Sequence, residues 1–192
     1  PDTRPAHIAR LNSLDDKVVL AGRSVYYGAW LYAAHLAGGL GWAVVAQALC
    51  ASWLLYLLMV RRWGLGERAF VGIVAVLAVA SPLAVFSSLL MPDIFAAVAI
   101  LAAATLAVYW RRLPGGERWA LAGLLLFALC AHASHVVVVG GLLLLALGLR
   151  RWRAGWEGLP APALAVVAAC LAGALAAEWG FAQVVVRSVG AP

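Results

Sequence analysis

One carboxylate, Asp93, interrupts a run from Ala69 to Trp110 that otherwise contains no Lys, Arg, Glu or His. An ionisable side chain in so apolar a setting is expensive unless it reaches water, headgroups or a binding site. Further along, "HASH" places His132 and His135 three residues apart, on one face of a continuous helix. Such a pair can pack as a satisfied junction or meet a phosphate. It can also start a metal site, but two imidazoles without a third ligand nearby are insufficient, and neither a metal nor a cofactor is expected. The N-terminal stretch adds Asp2, Asp15, Asp16, Arg23, Tyr26 and Tyr27, and Glu178 stands near the far end. Each has a structural use as well. Asp93 can cap a helix beginning at Ile94, and Arg23 can anchor to headgroups or pair with Asp15 or Asp16. The chain has no glycine-rich phosphate loop, no G-x-S-x-G and no H-E-x-x-H, so soluble nucleotide or hydrolase chemistry has no support.

The elements that must position these groups follow from composition. Hydrophobic residues make up 66% of the chain and charged ones 11%, with a mean hydropathy of +0.97. Those values describe a polytopic helical membrane protein, an all-α transmembrane bundle in contact with membrane lipids. The net charge of +6 does not form a continuous basic face, which excludes nucleic acid as a partner. It gathers mostly in "RRWGLGER" (61–68), "RRLPGGER" (111–118) and "RRWRAGWEG" (150–158), each between apolar segments. By the positive-inside rule all three are cytoplasmic, so an even number of crossings separates consecutive clusters. Cys50, Cys130 and Cys170 lie singly in apolar runs without C-x-x-C spacing and read as buried reduced thiols.

As one helix the run from Ala69 to Trp110 would be roughly 60 Å long, about twice the ~30 Å hydrocarbon core. It is expected to fold as two helices, 69–90 and 94–110, turning at Met91-Pro92-Asp93 on the external surface. Only 31 residues separate Arg118 from Arg150. Parity calls for a pair of short helices, 119–131 and 136–149, meeting at His132–His135; a single tilted helix, with Arg118 and Arg150 on opposite sides, is the alternative. Upstream, 1–28 reads as an external loop, 29–41 as an interfacial helix broken by Gly38, Gly39 and Gly41, and 42–60 as a span. Pro160 and Pro162 open a last span, 161–178, and 181–192 forms an external tail. Trp63, Trp110, Trp119, Trp152, Trp156 and Trp179 fall at predicted helix ends, as in an aromatic belt. On this topology every polar side chain named above lies opposite the arginine clusters.

The order of "PDTRPAHIARL", "GRSVYYGAWLYAAH", a span ending in "RRWG", the "SPLAVFSSLLMPD" turn and "LAGLLLFALCAHASHVVVVGGLLLLAL" resembles the membrane part of C-type glycosyltransferases. The similarity is to enzymes that use dolichyl- or undecaprenyl-phosphate sugars, of the protein mannosyltransferase and aminoarabinose-transferase kind. The resemblance implies transfer of a sugar from a polyprenyl-phosphate donor to an acceptor on the external face, in the bacterial inner membrane with the N-terminal loop periplasmic. It implies Asp2 and Asp93 as catalytic carboxylates, with Arg23, Tyr26, His132 and His135 at the lipid phosphate or substrate. It also implies that this chain is a fragment lacking the family's first membrane helix. "PDTRPAH" departs from the family pattern, carrying Pro5 and His7 where many members have a tyrosine shortly after the first acidic residue. A non-catalytic scaffold or a transporter fragment are the alternatives; a transporter needs its ionisable groups near mid-depth.

The topology is testable by cysteine accessibility. In a variant without native thiols, cysteines at 64, 115 and 155 label from one side of the membrane, and those at 15, 92 and 185 from the other. Opposite labelling of 115 and 155 replaces the helix pair by a single tilted span.

Overall fold

The computed structural model describes residues 24–152 and 158–189. Among them the chain forms helices and no strand: α1 (Val25–Leu36), α2 (Gly41–Tyr56, prolonged by a π-helical turn Leu57–Arg62), α3 (Glu67–Ala80), α4 (Leu83–Ser88), α5 (Ile94–Tyr109, ending in a 3₁₀ turn Trp110–Arg112), α6 (Gly115–Ala131), α7 (Ala133–Trp152) and α8 (Ala161–Val189). Among the described residues four stretches are long and apolar enough to cross a membrane: Gly41–Arg62, Ile94–Arg112, Ala133–Trp152 and Ala161–Val184. This is an all-α, multi-pass membrane architecture.

The segment between Arg118 and Arg150 is two helices. Room for both comes from their ends: α6 starts at Gly115 and α7 continues through Trp152, so each uses part of a basic cluster as helix. With 17 and 20 residues they are about 25 and 30 Å long. The turn between them is one residue, His132, held extended at φ −160°, ψ 134°.

Elsewhere the elements depart from the sequence reading in physically simple ways. The expected single helix 69–90 is broken at Ser81-Pro82. Ser81 is extended at φ −130°, ψ 162°, the conformation that a following proline favours, and α3 and α4 lie on either side. The interfacial helix begins earlier than 29 and stops at Leu36, where Gly38 (φ 131°) and Gly39 (φ 124°) take backbone angles that side chains resist. The expected tail from 181 is helical to Val189, because no proline or glycine after Gly180 interrupts α8 before that point.

The core lies where α5, α6 and α8 meet. Ala99, Ala102 and Ala103 of α5, Leu121, Leu125 and Ala128 of α6, and Ala174 of α8 are all buried. Small side chains let apolar helices approach closely, which is how membrane helices gain packing when lipid competes equally for apolar contact. Gly173 shows the limit, since a Cβ there would stand 3.3 Å from Leu126 Cδ1.

Side-chain contacts gather the arginine clusters at one end of this bundle. Arg62 forms a short ion pair with Glu117, Arg61 pairs with the same carboxylate at 3.1 Å, and Arg62 Nη1 donates to the Arg112 carbonyl at 2.8 Å. Trp63 Nε1 donates to Tyr109 Oη at 3.0 Å. Arg150 Nη1 donates to the Leu159 carbonyl at 2.8 Å, joining the end of α7 to the approach to α8. A cleft lined by Arg111, Arg112, Gly158 and Pro160 brings that third cluster to the second.

The Arg62 and Glu117 side chains are only 8% and 15% exposed, so each depends on the other's charge. Removing one partner of a partly buried pair leaves the other poorly compensated, whereas replacing both by apolar groups is milder. Glu117→Ala is expected to cost about 1.5 kcal/mol in unfolding measured in detergent. The Arg62→Met, Glu117→Leu double variant is expected to recover most of that loss.

Candidate functional site

The opposite end of the bundle is built around the termination of α6. The last carbonyls of a helix have no partners within it, and inside an apolar assembly water cannot supply them. Two side chains do so. Ser24 Oγ makes a short hydrogen bond to the Cys130 carbonyl, and His135 Nδ1, one turn into α7, donates to the Ala128 carbonyl at 2.7 Å. Ser24 Oγ also accepts from Tyr27 N at 3.4 Å, so it caps the start of α1 as it closes the end of α6.

Aromatic packing then clamps α1 across that end. Tyr27 and Trp30 meet Phe95 at ring-centroid distances of 6.2 and 5.9 Å. Phe127 completes the cluster, 5.9 Å from Trp30 and 5.1 Å from Phe95 in an edge-on arrangement. Such geometries set ring edges against ring faces and favour a fixed orientation. Phe95 lies two residues after Asp93 and Phe127 just before Ala128, so this cluster fixes the start of α5 relative to the end of α6.

Gln47, a residue that the sequence reading passed over, secures the adjoining loop. It is 1% exposed, accepts from Tyr27 Oη at 3.1 Å, and its Nε2 reaches the Ser87 and Leu89 carbonyls at 3.1 and 3.0 Å. Those carbonyls lie at the C-terminal end of α4, where Leu89 turns extended and helical bonding stops. A lone amide in the apolar stretch "WAVVAQALCASWLLYLLMV" was the available signal.

Within this frame the histidines and Asp93 converge. The His132 and His135 rings are 5.6 Å apart and tilted by 37°. They carry complementary tautomers. His132 Nδ1 accepts from Ser134 N at 3.2 Å, leaving the proton on Nε2, while His135 uses its Nδ1–H on Ala128. His132 is half-buried and His135 buried, so the nitrogen that can donate outward belongs to His132.

Asp93 is exposed and within electrostatic range of His135. It occupies the residue before α5 but does not cap it with its side chain. Its backbone is already helical at φ −59°, ψ −31°, whereas a side-chain cap needs an extended backbone. The first bonds of α5 come from main-chain carbonyls, Pro92 O to Phe95 N at 2.9 Å and Asp93 O to Ala96 N at 3.0 Å.

Tyr26 has a bracing role, donating its hydroxyl to the Ala177 carbonyl of α8 at 2.7 Å. Partial burial first, then the charges of Glu178 and the Cys130 thiol, push its phenol above the ordinary tyrosine range, so it stays a donor at neutral pH. Asp2 and Arg23 lie outside the described residues. Among the described residues no group of three or more His, Cys, Asp or Glu side chains could hold a metal ion, and the cysteines are free thiols. Comparison of the chain with protein-family models, curated proteins and solved structures finds no match.

The two carboxylate-end residues should therefore respond differently to substitution. Asp93→Asn and Asp93→Ala are expected to change unfolding stability by no more than about 0.5 kcal/mol, the range of exposed sites without special contacts. His135→Ala strands the Ala128 carbonyl and is expected to cost about 2 kcal/mol. Equal losses at both positions would contradict the assignment of α6 closure to His135.

Proposed function

We propose that this chain belongs to an integral membrane glycosyltransferase acting on a polyprenyl-phosphate-linked sugar, with its site at the end of the bundle opposite the arginine clusters. The observation that carries the reading is the gathering of Asp93, His132 and His135 at that end, with the Asp93 carboxylate not used for capping. A lipid-linked donor keeps its isoprenoid in the bilayer while its sugar and phosphate meet groups at the surface, where these residues stand. On this reading the membrane is the bacterial inner membrane and the carboxylate end is periplasmic, in keeping with arginine-rich turns at the other end.

The chemistry is a displacement at the anomeric carbon. The acceptor hydroxyl oxygen attacks that carbon, the bond from carbon to phosphate oxygen breaks, the hydroxyl proton passes to a carboxylate, and polyprenyl phosphate departs. Asp2 is the proposed base, and Asp93 orients the acceptor or the loop bearing Asp2. His132 Nε2–H donates to a phosphate oxygen as charge builds on the leaving group, and Arg23 adds a cation. Tyr26 is a positioning residue, through α8. A transporter is less well supported: the buried polar side chains among the described residues are Gln47, Thr105 and His135, and none is a carboxylate.

Asp93→Asn tests the proposal in the full-length protein, reconstituted with polyprenyl-phosphate hexoses and assayed by release of polyprenyl phosphate. Asn keeps shape and removes charge, so release is expected to fall by at least ~100-fold with insertion and stability retained. His132→Ala is expected to weaken donor binding as well. Release within a few-fold of wild type in Asp93→Asn would return the end cluster to a structural role.

A further inference from the structure

The arginine end carries a second feature that the proposed chemistry does not use. An apolar groove of about 260 Å³ runs between α5, α7 and α8. One wall is the smooth ridge of Ala103, Ala104 and Ala107, and the facing wall follows α7 from Val139 to Leu149. Ten residues of helix rise about 15 Å, which is half of the ~30 Å hydrocarbon core, so the groove is as deep as one leaflet. At its mouth it shares Val108 with the cleft of about 330 Å³ that Tyr109, Arg111 and Arg112 line. Tyr109 Oη accepts from Trp63 Nε1 at 3.0 Å and keeps its own O–H to donate.

Leaflet depth, an apolar interior and a cationic mouth together match one kind of occupant. We propose that groove and cleft form a binding site for an anionic glycerophospholipid of the arginine-side leaflet, with an acyl chain along Ala104 and Ala107 and the phosphate at Arg111 and Arg112. Guanidinium groups bind phosphate oxygens through paired N–H donors, and the Tyr109 hydroxyl supplies a further donor at the same level. Charge complementarity selects an anionic over a zwitterionic headgroup, and the groove supplies what a basic surface alone lacks, a place for the chain. The site lies at the other end of α5 from Asp93 and does not depend on the glycosyltransferase reading.

The experiment is native mass spectrometry of the full chain in detergent with equimolar dioleoyl phosphatidylglycerol and dioleoyl phosphatidylcholine. The wild type is expected to retain phosphatidylglycerol about tenfold over phosphatidylcholine, given what each arginine near an anionic lipid contributes. Arg111→Gln with Arg112→Gln brings the ratio close to one. Arg151→Gln, an exposed arginine at the same end that lines neither groove nor cleft, leaves it unchanged. Ala104→Phe fills the groove from an exposed position and lowers retention of phosphatidylglycerol at an unaltered unfolding temperature. If that variant unfolds, the arginine series alone decides. Equal retention of the two lipids by the wild type, a ratio untouched in the double arginine variant, or an equal drop in Arg151→Gln overturns the proposal, and the groove is then a seat for unselected lipid or for another helix.

Discussion

The carbonyl groups at the end of α6 must find donors where water is scarce, and the polar end of the molecule is organised by how they do so. The chain reverses direction there in one extended residue, His132, so the turn has almost no backbone of its own with which to satisfy them. His135 covers Ala128 from the next helix, and Ser24 covers Cys130 from a helix distant in sequence. The first bond permits the tight reversal that lets two helices fit between two basic clusters. The second draws α1 across the bundle, where Tyr27 and Trp30 join Phe95 and Phe127. Leaving a carbonyl unpaired in such a setting costs more than one hydrogen bond ordinarily contributes, so capping and aromatic packing reinforce each other.

Arginines predominate at one end of the bundle, where Glu67 and Glu117 accompany them, and Arg187 stands on the last turns of α8 at the other. Arg61, Arg62 and Glu117 form a partly buried knot that ties the π-helical end of α2 to the start of α6. The π turn widens the helix at the place where Arg62 leaves it toward Glu117. Arg118 lies over the Trp110 ring at 4.7 Å, using the ring face for its cation. At the other end stand Asp93, Glu178 and the two histidines. This polarity suits a protein that meets a different aqueous phase at each surface, and it leaves the apolar lengths of α5, α7 and α8 free for packing and for lipid.

Asp93 shows where local reasoning stops. Proline followed by aspartate before an apolar helix reads as a cap, and the residue does stand at the start of α5. Yet its own backbone is helical, main-chain carbonyls make the first bonds, and the carboxylate is left near His135. The break at Pro82 obeys the proline rule, although the apolar run continues unbroken on both sides of it. Gln47 was legible only as an oddity, because its partners, Tyr27 and the Ser87 and Leu89 carbonyls, come from segments far away in the chain.

From the sequence alone came the helical membrane class, the positions of the main apolar segments and the two helices between Arg118 and Arg150. These follow from the length of a membrane crossing, the cost of burying charge and the spacing of basic clusters, all of which act along the chain. Tertiary structure decided which carbonyls Ser24 and His135 would satisfy, which tautomer each histidine carries, and that Tyr26 braces α8 through Ala177. It also decided that Asp93 is not a side-chain cap. Those outcomes depend on which unsatisfied backbone groups meet which side chains when distant segments pack, and hydrophobic pattern does not encode such meetings.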